Sequence, residues 1–182
     1  MKQIFSLAVF LFSLISIAQT SDQNLSSTDF NQETIFRLNV LSPSAEIEHD
    51  LTDKISILGN AGVGLSITTV DFGNETKTDF LFPLFLEAST RYYYNFDRRI
   101  EKGRNIQYNS GNYIGLNFTK GFEATGDVSR VEPQSILSAV YGLQRTYQDF
   151  LNFTFEAGPG YDFQENDNGF TIYVGVQIGF TL

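Results

Sequence analysis

The sequence predicts an all-β protein, an antiparallel up-and-down transmembrane β-barrel of about eight strands, on three observations. The last stretch, Gly169 to Leu182, alternates without a break. Phe170, Ile172, Val174, Val176, Ile178, Phe180 and Leu182 are apolar, and Thr171, Tyr173, Gly175, Gln177, Gly179 and Thr181 lie between them. Successive side chains of a strand point to opposite faces, so this segment has one greasy face and one of small or polar groups. At roughly 3.3 Å per residue it extends about 40 Å, beyond the 9–11 or so tilted residues that a membrane strand needs. The second observation is that the same alternation recurs along the chain from residue 34, in segments separated by polar turns. The third is composition. Aromatics make up 15% of the 182 residues and glycines number 15, which suits strands and turns better than a helical bundle rich in Ala, Leu, Glu and Lys.

The opening MKQIFSLAVFLFSLISIAQT places Lys2 before an apolar run from Ile4 to Ile17. That run falls short of the roughly 20 apolar residues of a spanning helix. Ser16 and Ala18 fit a small-x-small cleavage site, so residues 1–18 read as a secretory signal peptide. Residues 19–33, polar and without period, read as a disordered lead-in, and 34–182 as the barrel domain. Cleavage removes Lys2 and no acid, taking the formal charge from −9 to −10. So acidic a chain is a poor candidate for nucleic acid. With no Cys and one His, disulfides, thiolate metal sites and Cys nucleophiles are excluded, and neither a metal site nor a cofactor is expected.

The first strand, Thr34 to Leu41, sets Phe36, Leu38 and Val40 against Arg37 and Asn39. After Ser42-Pro43-Ser44 the second carries Ala45, Ile47, His49 and Leu51 opposite Glu46, Glu48 and Asp50. The third, Ile55 to Thr69, alternates Ile57, Gly59, Ala61, Val63, Leu65 and Ile67 with smaller or polar residues. A polar loop, Asp71 to Asp79, precedes the fourth, Phe80 to Phe96, whose polar parity is Glu87, Ser89, Arg91, Tyr93 and Asn95. The charged segment Asp97 to Arg104 then leads toward the fifth, Asn112 to Phe122. The sixth runs from Pro133 to Gln144, followed by a turn at Arg145 to Asp149. The seventh uses Leu151, Phe153, Phe155 and Ala157, and Gln164 to Asn168 leads to the closing strand. With the N-terminus periplasmic, inner turns fall near Asp53, Arg98 to Asn109 and Thr146. Pro83 and Pro159, which cannot donate to a ladder, then fall near strand ends at the outer rim.

Alternation alone does not say which face meets lipid. A soluble calycin-like barrel that binds a small apolar ligand has about as many strands, with apolar residues inward. Its exterior would be dense in Lys and Glu, whereas here the polar parity is mostly Gly, Ser, Thr, Asn, Gln and Tyr, as suits a narrow lumen. The charges on it are Arg37, Glu46, Glu48, Glu87, Arg91 and Glu156, which must pair across the interior because unpaired buried charges are costly. Tyr92, Tyr94, Phe96, Tyr141 and Phe180 are expected to form an interfacial aromatic girdle.

The segments RLNVLSP (37–43), RYYYNFDRR (91–99), SGNYIGLNF (110–118) and the terminal strand together resemble small OmpA/OmpX-like outer-membrane barrels. The resemblance implies the outer membrane of a Gram-negative bacterium and contact with its lipopolysaccharide and phospholipids. It also implies insertion by the barrel-assembly machinery through Gly169–Leu182. It implies no particular activity, and an enzyme is not expected. His49 lies on the lipid-facing parity with no Ser two positions away, where the pattern of a lipid-deacylating barrel would want one, so it is expected to be an interfacial His near a turn rather than a general base. A non-enzymatic envelope or surface-contact role is expected, with a side-chain-filled lumen or a narrow charged pore.

Overall fold

Hydrophobic alternation builds a sheet, and the sheet closes on itself. The computed structural model describes residues 33–71, 73, 75–164 and 168–182. The expected signal peptide (1–18) and all but the last residue of the 19–33 lead-in lie outside the described residues.

The strands are β1 (Thr34–Asn39), β2 (Ser44–Asp50), β3 (Ile55–Val63), β4 (Ser66–Asp71), β5 (Thr76–Leu81) and β6 (Leu84–Tyr92). They continue as β7 (Asn112–Gly121), β8 (Ala124–Thr125), β9 (Arg130–Val131), β10 (Gln134–Tyr147), β11 (Leu151–Asp162) and β12 (Gly169–Thr181), with helix α1 (Phe96–Glu101) between β6 and β7. Eight of them form a closed antiparallel barrel in the order β1-β12-β11-β10-β7-β6-β3-β2. β1 closes the ring on β12 through Arg37↔Thr181, Leu38↔Phe180 and Asn39↔Gly179. Chain ends of the barrel therefore meet at one rim, here the terminal rim, and the opposite end is the loop rim.

Two expected strands end elsewhere. The third does not run to Thr69. β3 stops at Val63, and β4 pairs with β5 as a separate hairpin above the loop rim, built from the end of the expected third strand, the polar loop and the start of the expected fourth. Likewise the fourth barrel strand begins at Leu84 rather than Phe80, just past Pro83, whose carbonyl accepts the Gly64 amide at 2.8 Å. Alternation continues through both segments, so period alone cannot tell a barrel strand from a hairpin arm that extends it. The sixth barrel strand also outruns its expected end. β10 continues to Tyr147, and the reversal uses Gln148 and Asp149 at φ 52° and 64°. Arg145 therefore sits in a strand, not a turn.

Pro159 lies three residues before the loop-rim end of β11, near the strand end as expected, but within its ladder to β12. Pairing with β10 lapses between Ser138↔Gly160 and Tyr141↔Ala157, where the ring offers no N–H. Gly158 is required there, since a Cβ would collide with the carbonyl of Ala139.

The two faces of the wall differ sharply. On β7, Ile114, Leu116 and Phe118 are 54%, 55% and 45% exposed on the exterior, while Tyr113 and Asn117 are 0% exposed inside. Buried side chains are mainly polar or charged, and large apolar ones lie outside.

At the loop rim the β4–β5 hairpin is tied to the β8–β9 connection by one carboxylate. Asp79 accepts the amides of Val128 and Ser129 at 2.9 and 2.8 Å and the Ser129 hydroxyl at 2.8 Å. These donors, the Val128 amide foremost, hold its carboxyl below the usual aspartate value. A depressed carboxyl stabilises the fold above its unfolded value, near 3.9 or so, and that contribution fades as pH falls through the folded value. Exchange of the Val128 and Ser129 amides, corrected for intrinsic rate, should accelerate on acidification and already be fast in Asp79→Asn. Protection unaffected by that substitution would contradict the tie.

Candidate functional site

Inward positions of the terminal half converge on one ion cluster. β1–β2 register sets Arg37 opposite Glu46, and Glu48 follows two residues along the same face. Arg37 Nη1 donates to Glu46 Oε1 at 2.5 Å and to Glu48 Oε2 at 2.7 Å. All three side chains are at most 1% exposed. Glu48 also accepts from the hydroxyls of Ser56 at 2.5 Å and Tyr93 at 2.7 Å. One carboxylate with a guanidinium and two hydroxyl donors is well satisfied for a buried charge.

Arg91 links this cluster to a second acid. Its guanidinium lies 3.8 Å from both Glu48 and Glu156, donates to Gln144 Oε1 at 2.9 Å and sits 4.7 Å over the Tyr113 ring. Glu156 in turn accepts from Tyr113, Asn117 and Tyr173 at 2.7, 2.9 and 3.0 Å. Glu87 makes no ion pair among the described residues. It is joined to the rest through Tyr173, whose hydroxyl lies 3.1 Å from its Oε2. The structure thus brings all six sequence-derived charges into one interior, four carboxylates against two guanidinium groups.

The segment between β6 and β7 closes the terminal rim over this cluster. Expected as an inner turn, it folds instead as α1 and a 3-10 turn, Gln107–Asn109, whose backbone reaches back inside. Arg37 Nη2 and Gln144 Nε2 both donate to the Tyr108 carbonyl, at 2.9 and 3.0 Å. Asn109 Nδ2 donates to Asp50 at 2.8 Å. Tyr108 and Asn109 take φ of 51° and 60° to aim these groups.

Phe96 corrects one expectation. It is not part of an exterior girdle. It is 6% exposed, facing inward from α1 and stacked on Tyr93 at 4.7 Å between ring centroids. β6 ends at Tyr92, so the period-2 rule that placed Phe96 outside no longer applies there. Gly111 leaves room for its ring, which a Cβ would meet. Tyr92, Tyr94, Tyr141 and Phe180 do face outward. Tyr94 donates to Tyr141 at 2.9 Å, and Phe180 stacks on Phe150.

Sequence reasoning missed Tyr93, Tyr113 and Tyr173 as the hydroxyls that satisfy the acids, although all three lie on the polar parity. It also missed the Tyr108 carbonyl, for which no residue pattern gives a signal. His49 stands apart from the cluster, with Nδ1 2.8 Å from the Thr34 hydroxyl. Among the described residues, no three His, Cys, Asp or Glu side chains are grouped to hold a metal ion.

Fold and interior together define a class, a closed eight-stranded β-barrel protein with a buried, charge-bearing interior. Comparison of the chain with protein-family models, with curated proteins and with solved structures found no match.

Arg37→Met would leave Glu46 buried without its cation, and Glu48 with only Arg91 at 3.8 Å. Breaking such a pair costs about 3–5 kcal/mol, so the urea midpoint of the refolded protein should fall steeply. Adding Glu46→Gln to Arg37→Met should restore part of the loss. A midpoint unmoved by Arg37→Met would mean that the cluster does not hold the barrel together.

Proposed function

We propose that the chain is a non-enzymatic outer-membrane β-barrel of a Gram-negative envelope, serving envelope integrity or surface contact with a filled lumen. The carrying observation is the inversion of polarity, with large apolar side chains exposed around the wall and polar and charged ones enclosed. Water favours the opposite arrangement and lipid favours this one, because a closed barrel pairs its backbone groups within the sheet. A calycin-like carrier of an apolar ligand would need an apolar interior, and the polarity of this one weighs against it.

Lipopolysaccharide and phospholipids are then the solvent of the exterior, and Gly169–Leu182 is the strand offered to the barrel-assembly machinery. The likeness of 37–43, 91–99 and 110–118 to OmpA/OmpX-like barrels points the same way. An interior of about eight strands is just wide enough for side chains to fill. Here Arg37, Glu48, Tyr113, Asn117 and Gln144 are at most 1% exposed, and the Tyr108 carbonyl lies across the terminal mouth. That packing favours a structural role over conduction.

Membrane barrels resist SDS until heated, because no open sheet edge is left to fray. The protein extracted from outer membranes should migrate differently cold and boiled, and should give no conductance steps in planar bilayers. Recovery in the detergent-free soluble fraction, without a heat shift, would overturn the membrane reading. Ohmic steps would overturn the filled lumen alone.

A further inference from the structure

The acidic chain gathers a group of its cations in one place. Arg98, Arg99, Lys102 and Arg104 fall within seven residues of the β6–β7 segment. The fold adds Arg145, which β10 presents on the exterior parity at the terminal rim. Together with Tyr94 and Asn112 they line a cavity of about 370 Å³, within the size range of small-molecule sites.

Elsewhere among the described residues, save for Lys120, whose ammonium donates to the Ser135 hydroxyl at 3.0 Å, cations meet carboxylates. Arg37 and Arg91 do so inside, Lys54 pairs with Asp97, Lys77 with Glu75, and Arg130 with Glu123 and Glu132. Among the described residues, none of the five cavity cations has a carboxylate within ion-pair distance. Of the two acids on α1, Asp97 is taken by Lys54 at 2.7 Å, and Glu101 forms no ion pair with any of the five.

Two of the guanidinium groups are held in place by neutral oxygens. Arg99 donates to the Asn105 carbonyl at 3.1 and 2.6 Å. Arg145 donates to the Gly111 carbonyl at 2.7 Å and to Asn112 Oδ1 at 2.6 Å. Carbonyl oxygens orient a guanidinium without neutralising it. Burial, followed by the like charges of Arg145 and Arg104, holds the Arg99 guanidinium below its usual value. Clustered, fixed and uncompensated cations of this kind suit an anion with several oxygens, and guanidinium forks match the geometry of phosphate.

The cavity opens beside the outward Tyr94–Tyr141 pair, where the apolar exterior gives way to the charged segment. Tyrosines prefer that boundary, the level of lipid headgroups.

We propose that this cavity binds the phosphate of an anionic phospholipid headgroup, in the leaflet that meets the terminal rim. The phosphate chemistry stands on the cation cluster alone, and the lipid source rests on the membrane reading above. Outward Tyr141 and Ile114 offer the apolar wall along which the acyl chains run.

The test uses the whole mature chain in dodecyl maltoside micelles, which contain no phosphate. It is titrated calorimetrically with short-chain phosphatidylglycerol, short-chain phosphatidylcholine and inorganic phosphate. Saturable binding of phosphatidylglycerol, weakened by salt and tighter than the other two, is expected. Each exposed cation removed should weaken it about fivefold, so Arg98→Gln with Arg104→Gln should cost more than tenfold. Arg130→Gln, at the loop rim, should change nothing. Inorganic phosphate binding as tightly as the lipid would overturn the lipid assignment and make the site one for a free anion. No saturable binding, or equal weakening by Arg130→Gln, would overturn the site itself. These outcomes do not depend on the heat-shift result, so a failed membrane reading and a failed site give different records.

Discussion

An enclosed interior too narrow for bulk water dictates most of this structure. Its clustered charges find partners within the wall or in the segment that closes it, since an unpaired buried charge is costly. Asn60 and Ser138, whose buried polar atoms have no protein partner among the described residues, are uncharged. Arg37 shows how tightly that constraint acts. One guanidinium touches Glu46, Glu48 and the Tyr108 carbonyl, joining two adjacent strands to a carbonyl 71 positions along the chain from Arg37 itself. The register of β1 on β2, the packing of Tyr93 and the inward fold of the β6–β7 segment all converge on Glu48. Glycine completes the fit where Tyr113 crosses Gly142, since a Cβ there would overlap its ring.

The same constraint explains why the terminal rim is closed by backbone as well as by side chains. Two guanidinium groups face four carboxylates inside, and the hydroxyls of Tyr93, Tyr113, Tyr173 and Ser56, with the Asn117 amide, add further donors around them. The β6–β7 segment turns acceptors inward, to Arg37 and Gln144, and its cations outward. One connection therefore completes the interior and creates a basic surface at the level of the outward tyrosines.

Much of the barrel was legible from period alone. Eight alternating segments gave eight barrel strands, and the polar parity of 37, 46, 48, 87, 91 and 156 pointed all six charges inward. Paired alternation was legible because a strand has only two faces, so any charge on the minority face must share the interior. What period could not carry was where an alternating segment leaves or joins the barrel, as at Gly64 and Leu84. Nor could it see the end of β6. Tyr92 and Tyr94 keep the outward rhythm, but Phe96 begins a helix, and its ring is turned inside by a backbone change that its neighbours do not announce. The Tyr108 carbonyl was illegible for a deeper reason. A backbone acceptor has no residue type, and its position depends on left-handed φ at two residues that are not glycine. The cation pocket was half legible. Its four consecutive-region charges read as a charged turn, whereas Arg145 joins them only because β10 runs on past its expected end.

The central claim is the inversion of polarity across the wall, and the chain's lack of cysteine allows it to be read residue by residue. Nitroxide labels placed singly from Thr171 to Ile178, in protein refolded into vesicles, report collisions with oxygen from the lipid and with a water-soluble nickel chelate. The account predicts high oxygen accessibility at Ile172, Val174, Val176 and Ile178, alternating with low accessibility to both probes at Thr171, Tyr173 and Gln177. Outward positions that collide with the nickel chelate instead, as they would on a barrel surrounded by water, would contradict it.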